Sequence, residues 1–473
     1  MVKENLSLLA PHLIIVLAIF VQTVMGLIKS PRLAFRYKSI NILTSNTITL
    51  GAFFLATFLI FFLWGGLLTF PPALVVTPLV KVCSLLILFT SITTVLLNGN
   101  LLNENRQSCY KYHILLLTSV LGAMVSVCAN DFLTLFVALE TMSFGIYFLI
   151  AFSRGYESKE ASLKYLITNS VSMAFFLFGV SYLMGLTSSI NFEEITQLLL
   201  TPSNGILYSL AALFIFLGIV MKLAIFPFAN WVVDVYAGVE TSVLAYLSSV
   251  PKIAVVCILL RLLSGVFSFS LELTISILLI AIITAFWANV YAVKENNLKK
   301  ILACSSSANA AYMLVAIPLI PVIGNSAVIF YLISYIIMNI GVWAYLNLLE
   351  HKIENWKLSS IKHSDNLLLV GIFVLLIIGL AGLPISIGFV SKIYLLYTIL
   401  SSGILYLPIL FVLLVLFAIA LYYYIKILKT ITNEVAAIKG KMAKLVLYLA
   451  GILTFVLGII PFGLISYCVN VFN

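Results

Sequence analysis

The sequence predicts an all-α, polytopic membrane protein with about fourteen transmembrane helices. Three observations lead there. Of 473 residues, 63% are hydrophobic and only 9% are charged, far less charge than a soluble chain of this length exposes. Apolar runs of about twenty residues, the length that crosses a bilayer as a helix, recur from end to end. Lysine and arginine concentrate in every second loop, as they do where one face of a membrane holds the positive charge.

The runs are read as helices because hydrocarbon offers no partner for a free backbone amide, so each segment must satisfy its own hydrogen bonds. They begin near residues 8, 45, 73, 111, 131, 161, 205, 239, 270, 298, 325, 366, 404 and 442. The first, Leu8 to Ile28, is followed by Lys29-Ser-Pro-Arg32 and not by a small-residue cleavage site, so it is expected to stay as a helix.

The charges set the topology. Loop one carries Lys29, Arg32, Arg36 and Lys38, loop three Arg106 and Lys111, and loop five Arg154 and Lys159. Lys164 lies just inside the following helix. Loop nine carries Lys294, Lys299 and Lys300, loop eleven Lys352, Lys357 and Lys362, and loop thirteen Lys426, Lys429, Lys439, Lys441 and Lys444. Loop seven has none, and the even loops are sparse, with Lys81 and Arg261 as exceptions near helix ends. Lys3 falls on the sparse side. This places both termini outside. It also accounts for most of the net charge of +10 as topology, not as a nucleic-acid surface.

Nothing else suggests a soluble activity. The six cysteines form no CxxC pair or metal-ligand spacing, and the four histidines are scattered. The cysteines read as packing residues. No metal site, nucleotide-binding glycine loop or hydrolase triad is expected. Residues 349–365 and 430–441 are the largest inner linkers, and 187–204, with Glu193 and Glu194, is an outer one; none is long enough for a further domain.

Four ionisable residues fall inside the spans: Glu140 in LFVALETMSF, Lys222 in GIVMKLAIFPF, Lys252 in LSSVPKIAVV and Lys392 in GFVSKIYLL. A charge at the bilayer centre costs at least roughly 2.5–3.5 kcal/mol on insertion scales, so such residues mark bundle interiors and ion paths. Protons suit them. Loss of hydration disfavours the charged form of acid and base alike and brings proton exchange toward neutral pH. A glutamate and a lysine placed together also favour each other's charged form. A proline-broken segment accompanies two of the lysines: Ile225-Phe-Pro227-Phe beside Lys222, and Gly382-Leu-Pro384-Ile-Ser-Ile-Gly388 beside Lys392. Pro227 and Pro384 free backbone carbonyls that need new partners, and paired broken helices point to structural repeats with a site in each. The competing readings are a structural ion pair for Glu140 and Lys222, snorkelling for Lys252, Lys392 and Lys164, and solvated loop charges for Asp234 and Glu240.

These stretches resemble the antiporter-like membrane subunits of proton-pumping NADH–quinone oxidoreductase, respiratory complex I. Among them the resemblance is to the subunit called N in bacteria and NADH dehydrogenase subunit 2 in organelles. It rests on Lys222-Leu-Ala-Ile-Phe-Pro227-Phe, Trp231-Val-Val-Asp234-Val-Tyr236-Ala-Gly238, Thr241-Ser-Val-Leu-Ala245-Tyr-Leu247-Ser248 and Pro251-Lys252. Further matches are Leu163-Lys164-Tyr165, Asn297-Leu-Lys299-Lys300 running on to Ser305-Ser306, Ala311-Tyr312-Met313-Leu314, Phe330-Tyr331-Leu332, Met338-Asn339 and Leu380 to Lys392. The match covers roughly residues 110–400. Glu240 and Cys304 depart from the pattern, where the family has a small residue or proline and an aromatic.

The resemblance implies two five-helix repeats related by inversion, each with a proline-broken helix. The whole chain, 1–473, is then one membrane domain. It comprises three N-terminal helices over residues 1–110, repeats over 111–267 and 268–430, and a C-terminal helix in 431–473. It implies that Glu140 pairs with Lys222, that Lys252 with Lys164 relays onward, and that Lys392 is the terminal proton-loading site. It implies no redox centre or cofactor on this chain, with NADH, FMN, iron–sulfur clusters and quinone on other subunits. Partners would be other membrane subunits and the lipid bilayer, not nucleic acid. A bacterial inner membrane is the first expectation, an organelle inner or thylakoid membrane the second. Two alternatives stand beside this: a subunit of a cation/proton antiporter, and a structural membrane subunit whose buried charges only fix packing.

Overall fold

The computed structural model describes residues 2–28, 38–70, 73–99, 102, 109–153, 155–199, 206–267, 271–319, 321–350, 353, 355–361, 363–432, 435–436 and 440–472. The loop charges Lys29, Arg32, Arg36, Arg106, Arg154, Lys352, Lys362 and Lys439 lie outside them.

The described residues are mostly helical. The helices are α1 (Val2–Ile28), α2 (Lys38–Leu63), α3 (Pro78–Leu97), α4 (Cys109–Cys128), α5 (Phe132–Ala151), α6 (Tyr156–Thr187), α7 (Phe192–Leu199) and α8 (Ile206–Val220). Then come α9 (Asn230–Gly238), α10 (Thr241–Leu247), α11 (Val250–Ser264), α12 (Leu271–Lys294), α13 (Leu298–Ala316) and α14 (Pro321–Leu349). The last are α15 (Leu367–Ala381), α16 (Ile387–Ser401), α17 (Leu407–Leu428), α18 (Lys441–Ile459) and α19 (Phe462–Asn470). A small hairpin, β1 (Leu68–Phe70) with β2 (Leu74–Val76), joins α2 to α3.

Among the described residues, 11 segments are long and apolar enough to cross a membrane. The other three of the fourteen expected spans have visible reasons to fall short. Two are broken: α8 stops ahead of Pro227 and resumes as α9, and α15 stops ahead of Pro384 and resumes as α16. The third, α13, carries Lys299, Lys300, Ser305, Ser306, Ser307 and Asn309, too polar to face lipid and instead buried over nearly its whole length. Each broken helix is the fourth of five consecutive spans. Five is an odd number, so a second set entered after the first starts from the opposite membrane face.

The chain forms two compact units, one of residues 1–222 with 250–267 and the other of 223–249 with 268–473. In the first, α4 and α5 meet backbone to backbone. A Cβ on Gly122 would lie 2.3 Å from the Met142 amide nitrogen, and one on Gly145 2.6 Å from the Ser119 Cβ. Small residues allow such approach between helices that lipid alone would not press together. The same device joins α6 and α8, where Gly179 faces Ile215 and Gly218 faces Phe176. The two cations that break the charge alternation close helix ends. Arg261 donates to Val127 O and Ala129 O at 2.8 and 2.6 Å, at the end of α4. Lys81 donates to Trp64 O at 2.7 Å, at the end of α2. Helix C-terminal carbonyls attract cations, which explains both departures from the loop rule.

In the second unit α14 is buried throughout its apolar window, and α15 and α16 fold back on each other so closely that a Cβ on Gly388 would lie 2.0 Å from Gly379 O. Near the start of α15, His363 sits in a short strand, β3 (His363–Ser364), paired in parallel with β4 (Val435–Ala436). The residue is 2% exposed. Thr430 donates to Ile427 O at 2.7 Å and so accepts from His363 Nε2 at 3.0 Å. Tyr345 accepts from the Ser364 amide and so donates to His363 Nδ1 at 3.0 Å. The partners thus select the neutral Nε2–H tautomer.

Burial pushes His363 down from 6.5 to about 4. The neutral form is favoured on folding, so the unfolded chain binds more protons between those values. The clamp contributes fully above pH 6.5 and is lost as pH falls toward 4. Acidifying purified protein from about pH 7 to about pH 5 is expected to remove on the order of 1–2 kcal/mol, read as a lower Tm. His363→Asn should flatten that slope; an unchanged slope would contradict the assignment.

Candidate functional site

The first site grows from α5, α6 and the end of α8. On α5, Glu140, Ser143 and Tyr147 recur at helical spacing and so share one face. On α6, Asn169 and Ser172 stand on a buried face of an otherwise lipid-exposed helix. The chain leaves α8 through a short 3₁₀ turn, Met221–Leu223, that carries Lys222. Beyond it Ala224 takes a positive φ of 59° and the Phe226–Pro227 peptide is cis. The Phe226 amide finds Thr284 Oγ1 at 3.1 Å.

Lys222 is 7% exposed. Its ammonium donates to Ser143 Oγ at 2.8 Å and to Asn169 Oδ1. The other end of the same amide donates to Glu140 Oε1 at 3.0 Å and to the Tyr147 hydroxyl. Asn169 therefore stands between acid and base, with its carbonyl toward the cation and its NH₂ toward the anion. Its dipole favours charge on both. The Ser143 hydroxyl donates to Leu139 O at 2.8 Å or to Asn169 Oδ1 at 3.2 Å. Glu140 and Lys222, expected to pair, each contact Asn169, which stands between them. The backbone approach of α6 and α8 fixes this arrangement, with Ser172 donating to Gly218 O. Glu140 is half-buried and lines a groove of about 560 Å³ with Phe136, Phe144, Met173 and Leu177.

Lys392, on α16, is seated differently. It is 6% exposed and donates to Ala381 O at 2.7 Å and Leu380 O at 3.2 Å. Those carbonyls end α15, where Gly382 in the left-handed region (φ 81°) turns the chain before Pro384. The break frees the carbonyls, and the helix dipole points its negative end at the ammonium. The Phe417 ring lies 4.7 Å from Nζ and adds a cation–π contact. Among the described residues, the partners of Lys392 are dipoles and rings.

The polar residues of α13 extend inward from there. Asn289 donates to the Tyr312 hydroxyl at 2.8 Å, and Tyr331 to Asn309 Oδ1 at 2.8 Å. Ser305 meets the Tyr424 hydroxyl at 2.5 Å, and Tyr335 donates to Ser306 at 3.0 Å. Asn339 donates to Ser248 and Ser249 at 2.6 and 3.0 Å. Hydroxyls that can reverse donor and acceptor roles in a dry interior can pass protons.

The remaining expected residues are dispersed. Lys252 is buried in the first turn of α11, 4% exposed, with every residue from Val250 to Leu260 buried. Lys164 is 41% exposed and pairs with Glu160 at 2.9 Å, one turn earlier. Asp234 is exposed and Glu240 half-buried. Sequence reading did not single out Asn169, Ser143, Tyr147 or the α13 hydroxyls as site residues. The available signal was polar residues at helical spacing on apolar runs.

The chain as a whole is similar to known proteins. The family described as NADH:quinone oxidoreductase/Mrp antiporter, TM, matches residues 129–420. NADH-quinone oxidoreductase subunit N of Anoxybacillus flavithermus is 37% identical over 298 residues. That stretch is 60% of this chain and 59% of the relative, so the chain spans less than two thirds of it. The subunit N of Bacillus anthracis is 31% identical over 372 residues, 74% of each chain. A chain in the structure of respiratory complex I from Thermus thermophilus with bound aureothin superposes with a TM-score of 0.81 at 26% identity. It covers 96% of this chain and 98% of that one.

The Lys392 seat makes a direct prediction. A Cβ on Gly382 would lie 2.4 Å from Lys392 Cδ and 2.9 Å from Nζ, in a backbone region that L residues avoid. Gly382→Ala should destabilise purified protein by about 1–3 kcal/mol. Gly371→Ala, on α15 with nothing within 4 Å, should be neutral or slightly stabilising. Equal melting temperatures for the two would contradict the assignment.

Proposed function

The chain belongs to the NADH:quinone oxidoreductase/Mrp antiporter family, and on that footing we propose that it is a proton-translocating membrane subunit of a complex I-type enzyme. It would couple quinone reduction elsewhere in the complex to proton movement through its buried lysines. The carrying observation is that Lys222 and Lys392 are both buried and both stand at proline-broken spans, each ammonium held by groups that can also serve a neutral amine.

The chemistry follows from the partners. As an ammonium, Lys222 donates to Ser143 and Asn169. As an amine it can accept from Ser143, whose hydroxyl then turns away from Leu139. Glu140 acts through Asn169, because an amide carries field more readily than protons. Charge on Glu140 favours charge on Lys222, and loss of either releases the other. Lys392, held by carbonyl dipoles, is the terminal loading site, and the α13 hydroxyls connect toward Ser248 and Ser249. Lys252 is a further buried base, within the first unit; Lys164, half exposed beside Glu160, is the weakest member of the series. NADH, flavin, iron–sulfur clusters and quinone would be held by other subunits, and the membrane would be a bacterial inner membrane.

A second reading, a subunit of a cation/proton antiporter, is favoured by the family description, which names the Mrp antiporter. Gentle solubilisation of a tagged chain separates them: redox subunits co-purify under the first reading, and only small membrane proteins with sodium-dependent flux under the second.

In the assembled complex, Lys222→Ala and Lys392→Ala should each cut proton translocation on the order of tenfold, with the complex still assembled. A purely structural role predicts lost assembly and normal translocation in whatever assembles. Normal assembly with normal translocation would end the proposal.

A further inference from the structure

The second unit carries a basic recess that proton transfer does not use. Asn296 after α12, Lys357 and Ser359 ahead of α15, and Lys426, Lys429 and Thr430 at the end of α17 line a cavity of about 540 Å³. By the alternation of loop charges it opens on the inner face. Lys357 and Lys429 are exposed there. Lys426 is fixed by donating to Glu295 O at 2.7 Å and Val293 O at 3.3 Å. The Glu295 carboxylate is turned to the amides of Asn296 and Asn297 at 2.8 and 2.9 Å and does not line the recess. Three lysines therefore line a recess where an anion would be held by charge-assisted hydrogen bonds.

The surroundings choose among anions. On α17, Phe411, Val415, Tyr422 and Ile425 are 64%, 60%, 60% and 48% exposed. Their spacing is helical, so they form one apolar stripe, and Lys429 continues it one turn beyond Ile425. The span containing them is only 22% buried in its apolar window. On α12, the Trp287 and Tyr291 rings lie 5.6 Å apart, near the helix end where aromatic residues mark the membrane interface. A cationic head site above an apolar stripe, at interface level, is the complement of an amphiphile. Inorganic phosphate would satisfy only the recess.

We propose that this recess binds the phosphate of an anionic phospholipid of the inner leaflet, with its acyl chains along the α17 stripe. Basic pockets on the inner side of membrane helices recognise such headgroups. The site is independent of which ion the chain moves.

The test uses the full chain in a neutral detergent, with phosphatidylglycerol, phosphatidylcholine or inorganic phosphate added, followed by thermal unfolding and native mass spectrometry. Phosphatidylglycerol should raise the Tm and remain bound where phosphatidylcholine does not, and the preference should shrink as salt rises. The double variant Lys357→Gln, Lys429→Gln alters two exposed side chains. It should weaken apparent phosphatidylglycerol affinity on the order of tenfold. Equal effects of the two lipids would overturn the proposal, as would an undiminished preference in the double variant. If inorganic phosphate alone reproduces the shift, the recess is a free-anion site and the lipid assignment falls.

Discussion

An ammonium held inside a membrane must be given back the dipoles that water would supply, and much of the fold is arranged around that requirement. An uncompensated charge there costs several kcal/mol, comparable to a sizeable share of a domain's net stability. The two repeats meet the need in two ways. In the first, side chains from α5 and α6 supply an amide and a hydroxyl to Lys222. In the second, a helix is broken so that its own last carbonyls turn to Lys392. Glycines make both possible. Gly179 and Gly218 bring α6 and α8 together, and Gly382 gives the turn that leaves room for the Lys392 stem.

Broken helices therefore have a physical task here. A continuous helix consumes its carbonyls internally and offers a buried cation nothing. Breaking it costs hydrogen bonds, which the cation and the capping side chains restore. Ser386 caps α16 by accepting from the Phe389 amide, and Thr284 accepts from the Phe226 amide.

Much of the fold was legible in the sequence because membrane crossing imposes a length and a charge rule that single residues report. The prolines marked both broken spans. Even α13, too polar to pass for a lipid-facing helix, was placed by the phase of the loop charges. Lys81 and Arg261 stood out as exceptions, and the structure gives the reason: each closes a helix end. The ionisable positions were legible because charge is costly there. Asn169 was not. One asparagine in a helix that also holds Thr168, Ser170 and Ser172 carries no mark of its task, since only tertiary packing decides which polar group faces the lysine. The serines and tyrosines of the second unit were quoted as motif without a role for the same reason. Lys164 shows the converse, a charge near a helix start that the structure leaves half exposed beside Glu160.

Asn169 is accordingly the place to press. In the complex I-type assembly proposed for this chain, proton translocation per quinone reduced should be measured for Asn169→Leu alongside the amount of assembled complex. The account predicts translocation lower on the order of tenfold, with assembly largely kept, because the amide that joins Glu140 to Lys222 is gone while both charged groups remain. Unchanged translocation in the assembled variant would mean that acid and base do not act through Asn169, and the first half of the path would have to be drawn elsewhere.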